Sequence, residues 1–519
     1  METAVMNIMG AIKGEAADSN LARTENGALG FANHKSDIVD FFYKVSTMRG
    51  WSAADKRIAF RKCLAEDRDL ALRMLFFVRD VRGGMGERQL FRDLFADLDA
   101  AAICAFLPLV AEYGRWDDVI GLINADVSAD VKKAVSKLLW DRLQEDLDLM
   151  GDGKSCSLLA KWLPSIRNVS RDSVKLAKQI SSDWGWDERT YRKTLSKLRA
   201  YLKVVEKKMT AGEWTDIEYG AVPSKAAKNY REAFNRHDAE RYGKYLEGLK
   251  GGTEKVNAAT LYPHEIVCSY RFSKHSEDTL LESQWKALPM PKKGILGNAI
   301  VVRDGSGSMS CQIPGGTRTC ALDVATALAI LMSENLKGDF KDKFITFGHN
   351  PKFVDLGGCK NLHDKLQVAY READCSNTNI EATMDLILRA AVKNEIPQEE
   401  IPAVVIISDM EFDEARGAVR CYWGSDHDTR SQDTLFAVIR KKWNDAGYDL
   451  PKMVFWNVNS RTGAVPMQES ANGLLLVSGF SQSIMDMLSE GGTMIDIIRK
   501  KLMTPRYDAV SKAIAAAAE

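Results

Sequence analysis

At residues 288–296, "LPMPKKGIL", the chain changes grammar, and that change constrains its fold more than any other feature. Two prolines close together cannot continue a helix, and the segment separates two different periodicities. Before it, "DIVDFFYKVSTM", "DLALRMLFFVRDV" and "AAAICAFLPLVAEYG" carry apolar residues at helical spacing, and "SLLAKWLPSI" continues the pattern until Pro164 stops it. No repeat of fixed length is visible, so irregular helix pairs are inferred from the element pattern alone. After it, short β-branched runs alternate with helical stretches. Strands are expected at 299–303, 343–347, 403–408, 453–458 and 473–477, with helices at 320–336, 379–394, 431–446 and 482–502. The expected architecture is a HEAT-like α-helical repeat domain over 1–287 and an α/β Rossmann-like domain over 288–519. A chain of 519 residues is too long for one core in any case.

Lys+Arg and Asp+Glu are equal at 71 each, which excludes a wholesale polyanion coat and leaves room for a local basic patch. The nine cysteines are scattered with no C-x-x-C pair, as suits free thiols in a reducing compartment. The first twenty residues are too interrupted by charge for a signal segment, and no apolar run approaches the roughly 18 residues of a membrane span. A cytoplasmic protein with no membrane partner is expected.

In "AIVVRDGSGSMS", residues 299–310, Asp304, Ser306 and Ser308 alternate with Gly305 and Gly307 directly after an apolar strand. Such a turn is weak as an isolated motif. Its position strengthens it, because ligands of α/β sheets gather at the carboxyl ends of strands. "CSNTNIE", 375–381, and "IISDMEFD", 407–413, place more oxygen at later strand ends. Hydroxyls and carboxylates are hard donors suited to Mg²⁺ or Mn²⁺. Ser306, Ser308 and Thr378 would ligate directly, with Asp304 and Asp409 nearby holding the ion's waters. Neutral ligands leave the ion electrophilic, so it seeks an external carboxylate or phosphate.

Enzymatic readings of the stretch fail on spacing. A nucleophile elbow needs glycine two before the serine, where Asp304 and Ser306 stand, and the G-K-[ST] of a phosphate loop is missing. The seven histidines show no H-E-x-x-H. Glu411 and Asp413 beside Asp409 leave a Mg²⁺-dependent nuclease as the enzymatic alternative; the simpler reading is a strand end turning into a loop. No catalytic residue is assigned and no enzyme activity is expected.

The stretch 189–210 reads as one amphipathic helix. Leu195, Leu198, Leu202, Val205 and Met209 form its apolar stripe. Arg189, Arg192, Lys193, Lys197, Arg199, Lys203, Lys207 and Lys208 lie off that stripe against a single acid, Glu206. A solvated face normally mixes signs, because like charges one turn apart repel. This face is either plainly solvated or turned toward a polyanion such as RNA. In "RDVRGGMGERQLFR", 79–92, the glycines suit a helix-to-helix turn, while Arg79, Arg82, Arg88 and Arg92 flank a helix N-terminus that would also accept an anion. Trp116, Tyr191, Tyr201 and the His264–Glu265 pair read more simply as packing and hydrogen-bonding residues than as stacking platforms or acid–base pairs.

The five oxygen positions resemble the metal-ion-dependent adhesion site (MIDAS) of von Willebrand factor A domains, over about residues 290–505. Helical repeats joined to such a module resemble the Ro ribonucleoprotein family, whose plan is a TROVE domain plus a von Willebrand A domain. A closer likeness is to a set of intracellular proteins with the same two-part plan, sharing "TENGALGF", "FFVRDVRGGMGER", "YGRWDDVI", "SLLAKWLP", "VPSKAA", "PHEIV", "SDMEFD", "VFWNV" and "SGFS". Ro proteins close their repeats into a ring that binds RNA ends and small structured RNAs. The resemblance, held at the level of fold, implies an RNA-binding scaffold. The alternative is a protein–protein interaction module whose metal captures a partner's carboxylate without RNA.

Overall fold

The computed structural model describes residues 20–271, 277–290, 297–315, 318–348, 350–373, 377–414, 434–468 and 473–518. Its contacts divide the chain into two compact units that are interleaved in sequence. One comprises residues 1–68, 262–278 and 289–501; the other comprises 69–261, 279–288 and 502–519. The change of grammar at 288 therefore coincides with one passage between units, and the chain makes four more, after residues 68, 261, 278 and 501.

The first unit opens with a hairpin. Strand β1, Leu21–Arg23, pairs antiparallel with β2, Leu29–Phe31, and Phe31 exchanges backbone hydrogen bonds with Val465 at 2.8 and 2.7 Å. Gly30 is required there: a Cβ would stand 2.9 Å from the Val465 carbonyl oxygen.

The body of this unit is a six-stranded sheet. Its strands are β3 Ala299–Asp304, β4 Lys343–Phe347, β5 Lys352–Asp355, β6 Ala403–Ser408, β7 Met453–Asn457 and β8 Leu474–Ser478. They lie in the order β5-β4-β3-β6-β7-β8. All neighbours run parallel except β4 and β5, which pair antiparallel. Every residue of β3, β6, β7 and β8 is buried, as expected of parallel strands covered on both faces. The edge strand β5 buries one residue of four; too short and too exposed to carry a buried-strand signature, it escapes the sequence reading.

The helix Ala321–Asn335, apolar nearly all round, buries thirteen residues in a row from Ala321 to Ser333 and packs on β3. Helix Pro263–Arg271 packs on it in turn. His264 is buried there beside Tyr262 and Phe480, and the Glu265 carboxylate accepts from the Tyr262 amide at 3.0 Å, the packing role expected. Helices Ile380–Lys393 and Leu435–Asp445 also match expectation within the described residues. The expected helix at 482–502 does not run through. It is a 3₁₀ turn Gln482–Met487 and a helix Met494–Leu502, parted by Gly491 and by Gly492 at φ +110°.

The second unit is helical. Phe76 lies at its centre, in ring contact with Phe91, Phe95, Phe106 and Tyr113. The "RGGMGER" turn is structural. Gly84 passes so close to the preceding helix that a Cβ would lie 1.9 Å from the Phe77 carbonyl oxygen. The fully buried Asp80 before it is paired with Arg506 and accepts from the Tyr507 hydroxyl at 3.0 Å, which ties the C-terminal segment into the unit. The flanking arginines are engaged as well. Arg79 and Arg92 bond Asp118 at 2.6 and 2.7 Å, Arg88 pairs with Asp117, and Arg82 donates to the Glu112 carbonyl at 3.1 Å.

Candidate functional site

In this sheet the chain leaves β3 toward β4 on one side, while β6 and β7 lie on the other. The crevice where connections diverge, at the carboxyl ends of β3 and β6, is the usual ligand position of an open α/β sheet. Register sets Arg303 beside Ile407, so Asp304 and Ser408 end their strands side by side.

Asp304 is fully buried. One oxygen accepts from the Ser306 amide at 2.9 Å, the other from the Ser408 hydroxyl at 2.5 Å. Ser306 and Ser308 bring their hydroxyls to 3.0 Å of each other. Asp409, also fully buried, accepts from the Glu411 amide at 3.3 Å and from the Arg461 guanidinium at 3.1 Å, and the nearby Ser308 hydroxyl favours its charged form. Met410 turns the chain out of β6 at φ +62°, a conformation unusual for a non-glycine residue and of the kind that collects at functional turns. Burial first, and then repulsion from Asp409, pushes the Asp304 carboxyl up to about 7. Burial likewise raises Asp409, with the Arg461 charge acting against the rise.

Asp304, Ser306 and Ser308 are thus linked directly, and Asp409 lies close enough to act electrostatically on Asp304. Thr378 is buried one step away, where its hydroxyl meets the Glu411 carbonyl at 2.7 Å and Asp413 at 2.8 Å. Its oxygen also accepts from Asn26 at 2.9 Å. A hydroxyl has one donor and two lone pairs, so one lone pair of Thr378 is left for a ligand. The residues before it, 374–376, lie outside the described residues, so the expected oxygen-rich stretch is described from Asn377 onward. Among the described residues no three His, Cys, Asp or Glu side chains group at a point, so any ion here depends on hydroxyl oxygen. The donor set fits such an ion: two buried carboxylates repel one another beside two adjoining hydroxyls, and a small hard cation relieves that repulsion while hydroxyls and water complete its shell.

Glu411 and Asp413 hold loops. The fully buried Glu411 carboxylate accepts from the backbone amides of Glu25, Arg461 and Thr462 at 2.7, 2.7 and 2.9 Å, and from the Ser460 hydroxyl at 3.2 Å. Asp413 bonds Thr378 and bridges to Gly27. Sequence reasoning did not single out Ser408, Arg461 or Asn26 for the site. Ser408 was within reach as the residue before Asp409 at a strand end. Arg461 follows β7, the next strand over, and Asn26 belongs to the distant "TENGALGF".

In the helical unit, the expected single helix at 189–210 is two. Glu188–Tyr201 ends at Leu202, Lys203 takes φ +49°, and Val205–Ala211 begins anew. Arg189, Arg192, Lys193, Lys197, Lys203 and Lys207 are exposed. Arg199 is spent internally, donating to the carbonyls of Ala160 and Leu163 at 2.8 and 2.6 Å and to the Ser165 hydroxyl at 2.8 Å. Lys208 donates to the Asp216 carbonyl. Tyr191 and Tyr201 are packing residues whose hydroxyls donate to the carbonyls of Pro164 and Lys154 at 2.9 and 2.8 Å.

The sheet-bearing segment 298–512 matches a domain of unknown function, DUF7788, and residues 186–292 match another, DUF2828. The chain is 30% identical over 508 residues to the uncharacterized protein L728 of Acanthamoeba polyphaga mimivirus, covering 90% of this chain and 84% of the viral protein. The chain belongs to the family of that viral protein.

Proposed function

We propose that the sheet unit is a von Willebrand A-type module carrying a metal-ion-dependent adhesion site, and that the protein is a non-enzymatic binding scaffold. Asp304, Ser306, Ser308, Thr378 and Asp409 would hold Mg²⁺ or Mn²⁺, and the ion's role is to capture an acidic group of a ligand. The observation that carries this reading is the pair of fully buried carboxylates, Asp304 and Asp409, at the carboxyl ends of adjoining strands beside the Ser306–Ser308 hydroxyl pair. A nuclease reading loses support because Glu411 and Asp413 are committed to backbone and hydroxyl partners. Calorimetric titration with MgCl₂ tests the site. Wild type is expected to bind one ion with modest affinity, and the Asp304→Ala, Asp409→Ala double variant none; equal binding by both sinks the assignment.

A second function, RNA binding by the helical unit in the manner of a Ro-like TROVE scaffold, is favoured by six exposed bases on the consecutive helices Glu188–Tyr201 and Val205–Ala211 and at the break between them. Small structured RNAs or single-stranded ends are the ligands this reading names. Ribonuclease-sensitive absorbance at 260 nm in the purified protein supports it. Its absence, together with no binding to added RNA, leaves the protein-interaction module as the function. Among the described residues no helix is long and apolar enough to cross a membrane, and the scaffold is proposed to act in the cytoplasm.

A further inference from the structure

Arg461 brings a guanidinium to the candidate site, and its position has two anchors. One nitrogen contacts Asp409 at 3.1 Å, and the other two hold the Glu25 carboxylate. The arginine is fixed from behind, since its own amide donates to Glu411 at 2.7 Å. Glu25 is fixed as well. Its amide donates to the other Glu411 oxygen at 2.7 Å, and the hairpin turn that carries it is pinned by Thr24 to the Phe412 carbonyl at 2.6 Å and by Asn26 to the Glu411 carbonyl at 2.6 Å. One buried carboxylate, Glu411, thereby aligns the backbones of both partners. Such alignment is more than a surface ion pair needs.

We propose that Arg461 is a built-in counter-cation that competes with the divalent ion for Asp409, and that Glu25 is the alternative anchor that receives it when the ion enters. This rests on the metal-site reading above. The cause is electrostatic. A guanidinium 3.1 Å from Asp409 neutralises a carboxylate that burial makes costly to ionise. A divalent ion arriving beside Asp409 repels that guanidinium at short range, and a long, one-third-exposed side chain can swing away at little cost if a second carboxylate already holds its other edge. Glu25 is that carboxylate. The N-terminal turn thus sets how readily the site loads, and no residue of the turn needs to touch the ion.

The test is a double-mutant cycle read by MnCl₂ and MgCl₂ calorimetry on the full chain, with circular dichroism to confirm folding. Arg461→Gln removes the competitor and is expected to tighten ion binding by tenfold or more, while Arg461→Lys, which keeps the charge, stays within about threefold of wild type. Glu25→Gln strands Arg461 on Asp409 and is expected to weaken binding by about threefold to tenfold. A general field effect would give the same two signs, so the double variant decides. If Glu25 acts through Arg461, adding Glu25→Gln to Arg461→Gln changes affinity by less than about twofold. Equal or weaker binding by Arg461→Gln, or additive effects in the double variant, overturns the proposal. Absence of ion binding in the wild type and in every variant instead overturns the metal site itself.

Discussion

Replacing Asp304 by asparagine is expected to stabilise the ion-free protein, although it removes a fully buried, hydrogen-bonded carboxylate from the centre of the site. The Asp304 carboxyl is pushed from 3.8 to about 7, so the native state holds its proton more tightly than the unfolded chain does. Stability from this group is therefore complete below about pH 4 and drains away as pH rises to about 7. Above pH 7 the native protein carries the full cost of ionising Asp304, about 4 kcal/mol at 1.36 kcal/mol for each tenfold change in proton affinity. Asparagine never ionises, so it escapes that cost. It keeps the contact with the Ser306 amide but disturbs the one with Ser408, a loss of about 1 kcal/mol. Part of the cost is shared with Asp409 through their mutual repulsion, so the net gain is about 1–3 kcal/mol. That corresponds to a rise of roughly 2–5 °C in melting temperature for a unit of this size. Thermal melts in EDTA at pH 4, 6 and 8 should show Asp304→Asn slightly below wild type at pH 4 and rising to its largest advantage at pH 8. Saturating Mg²⁺ should cancel or reverse this advantage at pH 8, since an ion at a hundredfold its Kd adds about 2.7 kcal/mol to wild type alone. A variant that melts below wild type at pH 8 in EDTA refutes the reasoning, because Asp304 would then be content as a buried anion.

Three further outcomes are expected. Reversing Lys193, Lys197, Lys203 and Lys207 to Glu, all exposed, should weaken RNA binding and flatten its salt dependence, by roughly 0.7–0.9 in log–log slope for each phosphate no longer neutralised; an unchanged slope in filter binding marks the face as merely solvated. If the ion serves an acidic protein ligand, Asp304→Ala and EDTA should each leave RNA affinity within about threefold, under ~0.7 kcal/mol, whereas tenfold weakening by both would assign the ion to RNA. Gly84→Ala drives a Cβ into the Phe77 carbonyl and should cost the helical unit about 3 kcal/mol, read as a lower urea midpoint; a cost under about 0.5 kcal/mol would mean the turn relaxes freely.

Five of the six strands of the sheet were legible because they are short, buried over most or all of their length and largely apolar: β4 and β6 fall at the expected residues, β3 and β7 differ by one residue at one end, and β8 is shifted by one. The candidate site was legible for the same reason, since Asp304 and Asp409 each lie at the end of such a run. What escaped depends on distance in sequence. Asn26-Gly27 in "TENGALGF" is a local turn signal, but strands of three residues are too short to stand out, and nothing local says that the turn reaches Glu411, 386 positions beyond Glu25. The interleaving of the two units escaped similarly, for Asp80 and Arg506 meet across most of the chain and neither has a local signature. The basic helix breaks at Lys203, where the apolar spacing continues through a left-handed residue and the register of the stripe is lost. Arg199 looks like its neighbours in sequence; its three internal hydrogen bonds set it apart.

The central claim is that Asp304, Asp409 and the neighbouring hydroxyls form a divalent-ion site, and Mn²⁺ paramagnetic resonance at pH 8 tests it most directly. The free-ion signal should fall by one equivalent per wild-type chain, return when excess Mg²⁺ is added, and stay undiminished with the Asp304→Ala, Asp409→Ala variant. A full free-ion signal with wild type, or an equal fall with the double variant, contradicts the account.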